Sequence, residues 1–347
     1  MPEGRDGALR CPDAAARHPC HMLPVENWRR MVEIDVPYLG FMKRRPLGKT
    51  GFEASLLGIG DLADRSISQS QCVATLHRAM DRGLNLIDTA PMYENGYSEQ
   101  IVGIALKGRR DGMFVIDKID HLEQPVGLQV NASLLALGLE TVDLFVFHDV
   151  SKPTQWERIA AGGMEELARC RAAGKVRFRG ISSHHPDVLR AALNSGLCDV
   201  VMFPLGPFVD RRYVDEILPL ARRNAVGAVC FKTFGAGKLL GDTTGYNQPL
   251  PDQPQNTREL PRLSVADCLH YTLSLDPDVA LLGLSSPDEQ DATFRAFEVF
   301  QPLGKEQLAD IENRAAQAVQ GKGRCWWNPE KNETGRHPTL GIRIVEE

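Results

Sequence analysis

Eight short apolar runs recur along the chain, at residues 57–60, 84–88, 115–118, 142–148, 178–182, 199–203, 225–231 and 279–283. Stretches of helical period lie between and after them, at 69–82, 98–107, 126–137, 157–173, 187–194, 213–224, 265–275 and 287–297. Strands that are apolar at consecutive positions are covered on both faces, and that requires a parallel sheet flanked by helices. Eight strand–helix units predict closure into a (β/α)8 TIM barrel, which takes about 250 residues. The 347-residue chain, with 43% hydrophobic content, is long enough to fill one such core. An open doubly wound sheet is the rival. Gly58 and Gly60, however, lack the third glycine and the ribose-binding acid of a dinucleotide fingerprint.

The flanks read differently. Segments 42–46 and 52–56 border Gly48-Lys49-Thr50-Gly51, a hairpin signal. Residues 1–41 have little periodicity and are expected to form an irregular extension, with the barrel over 42–320 and a tail over 321–347 near the pocket mouth. The net charge of -5 offers no basic field for nucleic acid or an acidic membrane. No run approaches the roughly 18 apolar residues of a membrane helix, and Arg29-Arg30 is not followed by the apolar run of an export signal. The eight cysteines include no Cys-x-x-Cys pair, so neither a zinc site nor an iron–sulfur cluster is encoded. Reduced thiols in a cytoplasmic protein are the expectation. The sequence leaves the oligomeric state open.

The polar residues that interrupt this pattern stand at strand ends. Asp88 closes one apolar run and opens the loop Thr89-Ala90-Pro91-Met92-Tyr93-Glu94-Asn95-Gly96-Tyr97, after which Ser98 is placed to cap a helix. A second run ends on Lys118 and a third on His148. In a barrel these positions share the face where chemistry is done.

Asp88, Tyr93, Lys118 and His148 in this order resemble the catalytic tetrad of the aldo-keto reductase family, over about residues 42–319. Lys232-Thr233-Phe234-Gly235-Ala236-Gly237 is similar to a bacterial branch whose members carry a ferredoxin-like tail, absent here. The resemblance implies a hairpin plugging the barrel floor. It also implies hydride exchange between NADP(H) or NAD(H) and an aldehyde, ketone or alcohol. Tyr93 would be the general acid–base, activated by Lys118, with Asp88 holding the lysine. His148 would donate to the carbonyl oxygen from its neutral ring.

The cofactor contacts implied are Gly60, Asp61, Ser182, Ser183, Met202, Phe231, Lys232, Gly235, Gly237, Ser285, Ser286 and Glu289. Phe231 would stack on the nicotinamide. Ser183 stands in place of the family's asparagine and Met202 in place of a frequent glutamine. Glu289 occupies a position where NADP-dependent members carry a basic residue, and so leans towards NAD(H). As a first-turn acid it also has a purely structural reading, and Arg295 or Lys238 is then left to meet a 2′-phosphate. Asp120, His121 and Asp149, where relatives acting on aromatic carbonyls tend to carry tryptophan, point to a small hydroxylated substrate of sugar or polyol type. Trp326 and Trp327 in the tail are candidate pocket walls, and the Pro-rich stretch 240–262 is a candidate lid. Two other classes stay open: a nicotinamide-nucleotide sensor or regulatory subunit with little turnover, and a metal-dependent barrel enzyme using His121, His148, His184 and His185. The second lacks His-x-His spacing.

Overall fold

The computed structural model describes residues 42–60, 64–246, 248–250 and 261–329. The extension 1–41, Asp61, the centre of the Pro-rich stretch and the end of the tail lie outside the described residues.

A closed barrel of eight parallel strands forms the centre. In chain order these are β3 (Leu57–Gly60), β4 (Leu86–Asp88), β5 (Phe114–Ile119), β6 (Val142–Phe147), β7 (Val176–Ser182), β8 (Val200–Pro204), β9 (Gly227–Phe231) and β12 (Val279–Leu282), and β12 pairs with both β9 and β3 to close the ring. Outside lie α1 (Gln69–Asp81), α2 (Tyr97–Leu106), α3 (Val126–Leu137), α4 (Pro153–Arg158), α5 (Met164–Ala172), α6 (Pro186–Ser195), α7 (Leu218–Arg223), α8 (Val265–Ser274), α9 (Pro287–Glu298) and α10 (Lys305–Ala318). The period-two alternation of side chains splits the core into two layers. Leu86, Phe114, Ile116, Leu144, Val200 and Val229 fill the barrel interior, whereas Ile87, Val115, Ile119 and Phe145 face the helices.

An antiparallel hairpin, β1 (Arg44–Pro46) and β2 (Glu53–Ser55), closes the end where the strands begin. Its turn buries Leu47 in the interior layer beside Ala54. Gly48, at φ +49, lies so close to β9 that a Cβ there would sit 2.3 Å from the Gly227 nitrogen. Only glycine meets both demands.

Four details depart from the sequence reading. Segment 157–173 is interrupted by a π-helical turn, Ile159–Gly163, where Gly163 leaves room for the Phe147 ring. Segment 213–224 likewise opens as a π turn, Tyr213–Ile217. Helix α2 begins at Tyr97 after Gly96 in the left-handed region, with no side-chain cap, because the Ser98 hydroxyl instead accepts a 2.8 Å bond from Thr89 Oγ1. The stretch expected to be a lid contains a small hairpin, β10 (Thr243–Gly245) and β11 (Gln248–Pro249). Among the described residues, no helix is long and apolar enough to cross a membrane.

Candidate active site

Three strands deliver the central side chains to the C-terminal end of the barrel. Asp88 is the last residue of β4, Lys118 the next to last of β5, and His148 follows β6. On β5 the interior positions are Phe114, Ile116 and then Lys118, so the lysine points into the barrel by the same alternation that buries its neighbours. Its ammonium, 1% exposed, donates to Asp88 Oδ1 at 2.6 Å and to the Thr89 carbonyl at 2.7 Å. A cation this deep needs such partners. Gly60 on β3 lies alongside, and a Cβ there would approach Asp88 Oδ2 to 3.4 Å.

Tyr93 is brought over this pair by a single turn, Tyr93–Gly96, in which Glu94 and Asn95 both have positive φ. Left-handed backbone at two successive non-glycine residues costs on the order of 1–3 kcal/mol each and needs outside support. The Arg65 guanidinium supplies it, donating to the Glu94 carbonyl at 2.6 Å and stacking over Tyr97. The Lys118 ammonium lies 4.4 Å from the centre of the Tyr93 ring, and the His148 ring meets Tyr93 edge-on at 5.6 Å. Burial pushes the Asp88 carboxyl up; the Lys118 charge and hydrogen bond, the His148 charge and a hydrogen bond with Tyr93 pull it back.

Asp120 is placed differently from the sequence expectation. Its Oδ1 lies 2.5 Å from His148 Nδ1 and its Oδ2 accepts the Met92 amide at 2.9 Å, so its carboxylate is occupied within the protein. Burial works against its charge, but the His148 and Met92 hydrogen bonds with the His148 and Lys118 charges hold it below the usual carboxylate range. The proton of His148 therefore belongs on Nδ1. The neutral ring then has an acceptor, not a donor, at Nε2, and only the doubly protonated ring donates there. A neutral donor facing the pocket does not fit this contact.

A second group lies around Phe231. His184 meets the Phe231 ring edge-on at 5.2 Å, and its Nδ1 lies 3.0 Å from Asp149 Oδ1. Asp149, at φ +48, is exposed and also accepts a 2.5 Å bond from Ser151 Oγ. The Lys232 ammonium lies over Phe231, Tyr246 and Trp326, at 5.7, 4.6 and 5.7 Å from the ring centres, and bonds to the Tyr246 hydroxyl. Burial lowers Lys232 to about 8, against a small opposing effect of Asp149. Gly235 and Gly237 have positive φ, and a Cβ at Gly235 would crowd Leu239 at 3.0 Å. Beyond β12, Ser286 caps α9, and the exposed Glu289 accepts the Ser285 amide at 2.8 Å.

Several residues picked out in the sequence lie elsewhere. Ser182 and Ser183 are both buried. Ser183 Oγ donates to the Val150 carbonyl at 2.6 Å and accepts the His185 amide at 3.0 Å, so its hydroxyl is spent within the loop. Met202 is 1% exposed and packs in the barrel interior. His121 is exposed, its backbone held by Gln129. Trp327 is no pocket wall: it is fully buried and donates to the Phe208 carbonyl at 2.8 Å, whereas Trp326 is half-buried beside Tyr246. Lys238 is turned away, its ammonium donating to the carbonyls of Lys322, Gly323 and Arg324. Asp61 lies outside the described residues. No group of three or more His, Cys, Asp or Glu among the described residues is placed to hold a metal ion.

Thr89, Arg65 and His184 complete the site with no signal of it in the sequence: Thr89 acts through its carbonyl, Arg65 reaches the loop from a segment without pattern, and His184 meets Phe231 only once the barrel is closed.

The family model for the aldo/keto reductase family matches residues 56–315. The chain belongs to this family. It is 29% identical over 232 residues to the NADH-specific methylglyoxal reductase of Escherichia coli, covering 58% of this chain and 71% of that protein. To the L-galactose dehydrogenase of Arabidopsis thaliana it is 25% identical over 299 residues, covering 77% and 92%. The holo form of aldo-keto reductase AKR11C1 from Bacillus halodurans superposes with a TM-score of 0.64 at 26% identity, covering 81% of this chain and all of that one. As a member of the family this chain is an oxidoreductase.

Proposed function

We propose that this aldo-keto reductase interconverts a small hydroxylated aldehyde or ketone and its alcohol using NAD(H) or NADP(H), with Tyr93 as the general acid–base. The observation that carries the reading is the Lys118 ammonium, held by Asp88 at 2.6 Å and lying against the Tyr93 ring. A phenol with an ordinary pKa of about 10 is a sluggish acid–base at neutral pH, and a fixed adjacent cation favours its ionised form. Tyr93 thus passes a proton to the carbonyl oxygen in reduction and takes it back in oxidation. His148, oriented by Asp120, faces the same oxygen. In its doubly protonated form it stabilises the negative charge that develops there.

The residues around Phe231 fit a dinucleotide. Phe231 offers a half-buried aromatic face, the Gly235–Gly237 turn lets backbone approach closely, and the capped start of α9 presents amide donors. The cofactor supplies the hydride; Phe231, Lys232, Gly235, Gly237, Ser285 and Ser286 would hold it. Carboxamide contacts from Ser183 and Met202 have little support, since one hydroxyl is spent and the thioether is buried. His184, edge-on to Phe231, is better placed.

The lean is towards NAD(H). The turn Gly283-Leu284-Ser285-Ser286-Pro287-Asp288-Glu289 has no Lys or Arg, and Lys238 is committed to the tail. A relative named for NADH specificity agrees in direction. Asp149 at the rim, and a relative named for a sugar, support a hydroxylated substrate. Fluorescence titration with NADH and NADPH, followed by a panel of sugars, polyols and aromatic aldehydes, tests the reading. Binding of neither nucleotide would end it, and binding without turnover of any panel member would favour the sensor alternative.

A further inference from the structure

Behind Lys118, on the opposite side of β5, two carboxyl groups meet in the layer between barrel and helices. Asp117 follows Ile116 and precedes Lys118, so alternation turns it outward with Val115 and Ile119. Glu99, in the first turn of α2, turns inward so that its carboxyl and that of Asp117 lie within each other's electrostatic reach. The pair is enclosed: Asp117 is 0% and Glu99 4% exposed. One Asp117 oxygen accepts the Lys118 amide at 2.7 Å. The other, Oδ2, and Glu99 Oε1 are both buried without a hydrogen-bond partner. Ser133 of α3 stands beside Glu99 without its hydroxyl reaching hydrogen-bond geometry with an acceptor.

Two ionised carboxylates in contact at an apolar site repel each other and lack donors, whereas one added proton turns the contact into a strong hydrogen bond. We propose that Glu99 and Asp117 hold one proton between them and act as a positioning pair behind Lys118, placing one negative charge there instead of two. Burial, and for Asp117 the Glu99 charge as well, pushes both carboxyls up in the same sense. The charges facing the pair are Lys118 and Asp88 on the barrel side and Asp120 beyond the end of β5. From α1, His77 spends Nε2 on the Ala105 carbonyl, and from α3 the neighbour is Ser133, which carries no charge.

The role rests on the reading of Tyr93 as the acid–base. With the proton in place, the Lys118 charge is left to Asp88 and Tyr93. Loss of the proton at alkaline pH sets a second negative charge behind the lysine, which disfavours the phenolate, makes Tyr93 a poorer acid, and slows turnover. The pair thus shapes the alkaline side of the pH profile.

The test is an infrared difference spectrum of wild type minus Glu99→Gln at neutral pH, in H2O and D2O, paired with kcat against pH for wild type, Glu99→Gln and Asp117→Asn. Either amide keeps a donor between the two side chains and a single negative charge that cannot be titrated away upward. The expected result is a protonated-carboxyl band in wild type that is absent from the variant, and an alkaline inflection in wild type that both variants lose. Absence of the band from wild type overturns the shared proton, and needs no variant to fold in an active form. An inflection that persists in both variants overturns the role. Should Tyr93→Phe stay active, the acid–base reading fails separately, and the band still reports on the pair.

Discussion

Asp120 Oδ1 lies 2.5 Å from His148 Nδ1, so the orientation of the imidazole over the pocket is fixed by a carboxylate two residues after Lys118. Asp120→Asn keeps the shape and removes the charge. The expected loss in kcat is about tenfold or more, equivalent to about 1.4 kcal/mol of transition-state stabilisation. A kcat unchanged from wild type would mean that Asp120 does not orient the His148 ring for the reaction.

Tyr93→Phe should fold and bind nucleotide as before, while kcat drops by about 10²–10⁴-fold. Retention of more than about a tenth of the wild-type rate, with a deuteride isotope effect showing that chemistry limits, rules out Tyr93 as the proton donor. Lys118→Met should be as damaging kinetically and cost about 3–5 kcal/mol of stability, because Asp88 is left buried without its partner. Combining the two should add little further loss of rate. Chemical denaturation of the single variants separates the effects.

Glu289 accepts the Ser285 amide, so Glu289→Arg both frees that turn and brings in a cation. NADPH affinity should improve by about 1–3 kcal/mol, with NADH changed far less. If unmutated protein already binds the two nucleotides equally, the electrostatic argument for NAD(H) is void.

Lys232 gives a pH dependence with a definite sign. Its value falls from 10.5 to about 8 on folding, so between those limits the unfolded chain carries more protons and stability rises with pH. Below about pH 8 the ammonium is charged in both states and its desolvation cost is fully present. Melting temperatures across pH 7 to 10 should therefore show an upward contribution in wild type that Lys232→Met lacks. Nucleotide affinity should weaken over the same range if the ammonium meets a phosphate.

Trp327→Ala empties the largest fully buried side chain among the described residues, and a cost of about 3–5 kcal/mol is expected. The ring also lies against Gly235 of the turn proposed to hold the cofactor, so nucleotide affinity measured well below the melting point should weaken as well.

Most of the eight strands were readable because they are nearly continuous apolar runs, β7 with Arg177 and Arg179 and β5 with Asp117 being the least so, and the Asp88, Lys118 and His148 positions because a charged or polar residue at the end of such a run has few other reasons to be there. What the sequence did not reveal is a matter of partners. Asp120 reads as a pocket acid until its distance to His148 is known, and Trp327 as a pocket aromatic until the Phe208 carbonyl is seen beneath it. Ser183 fits a cofactor motif, yet the Val150 carbonyl has already taken its hydroxyl. The π turns in two helices left no mark on the hydrophobic period. Residues 305–318 form α10, an amphipathic helix that stands outside the eight-fold repeat.

Lys238 and Lys322 each send a buried ammonium to backbone carbonyls of the other's segment: Lys238 to Lys322, Gly323 and Arg324, Lys322 to Lys238 and Gly241. The partners are 84 residues apart for the Lys238–Lys322 contact. On a ribosome adding about 5–20 residues per second, the loop after β9 emerges several seconds before the carbonyls that satisfy it. Until then an ammonium destined for burial stays hydrated and the loop unlatched. The rim of the barrel is thus completed late in synthesis.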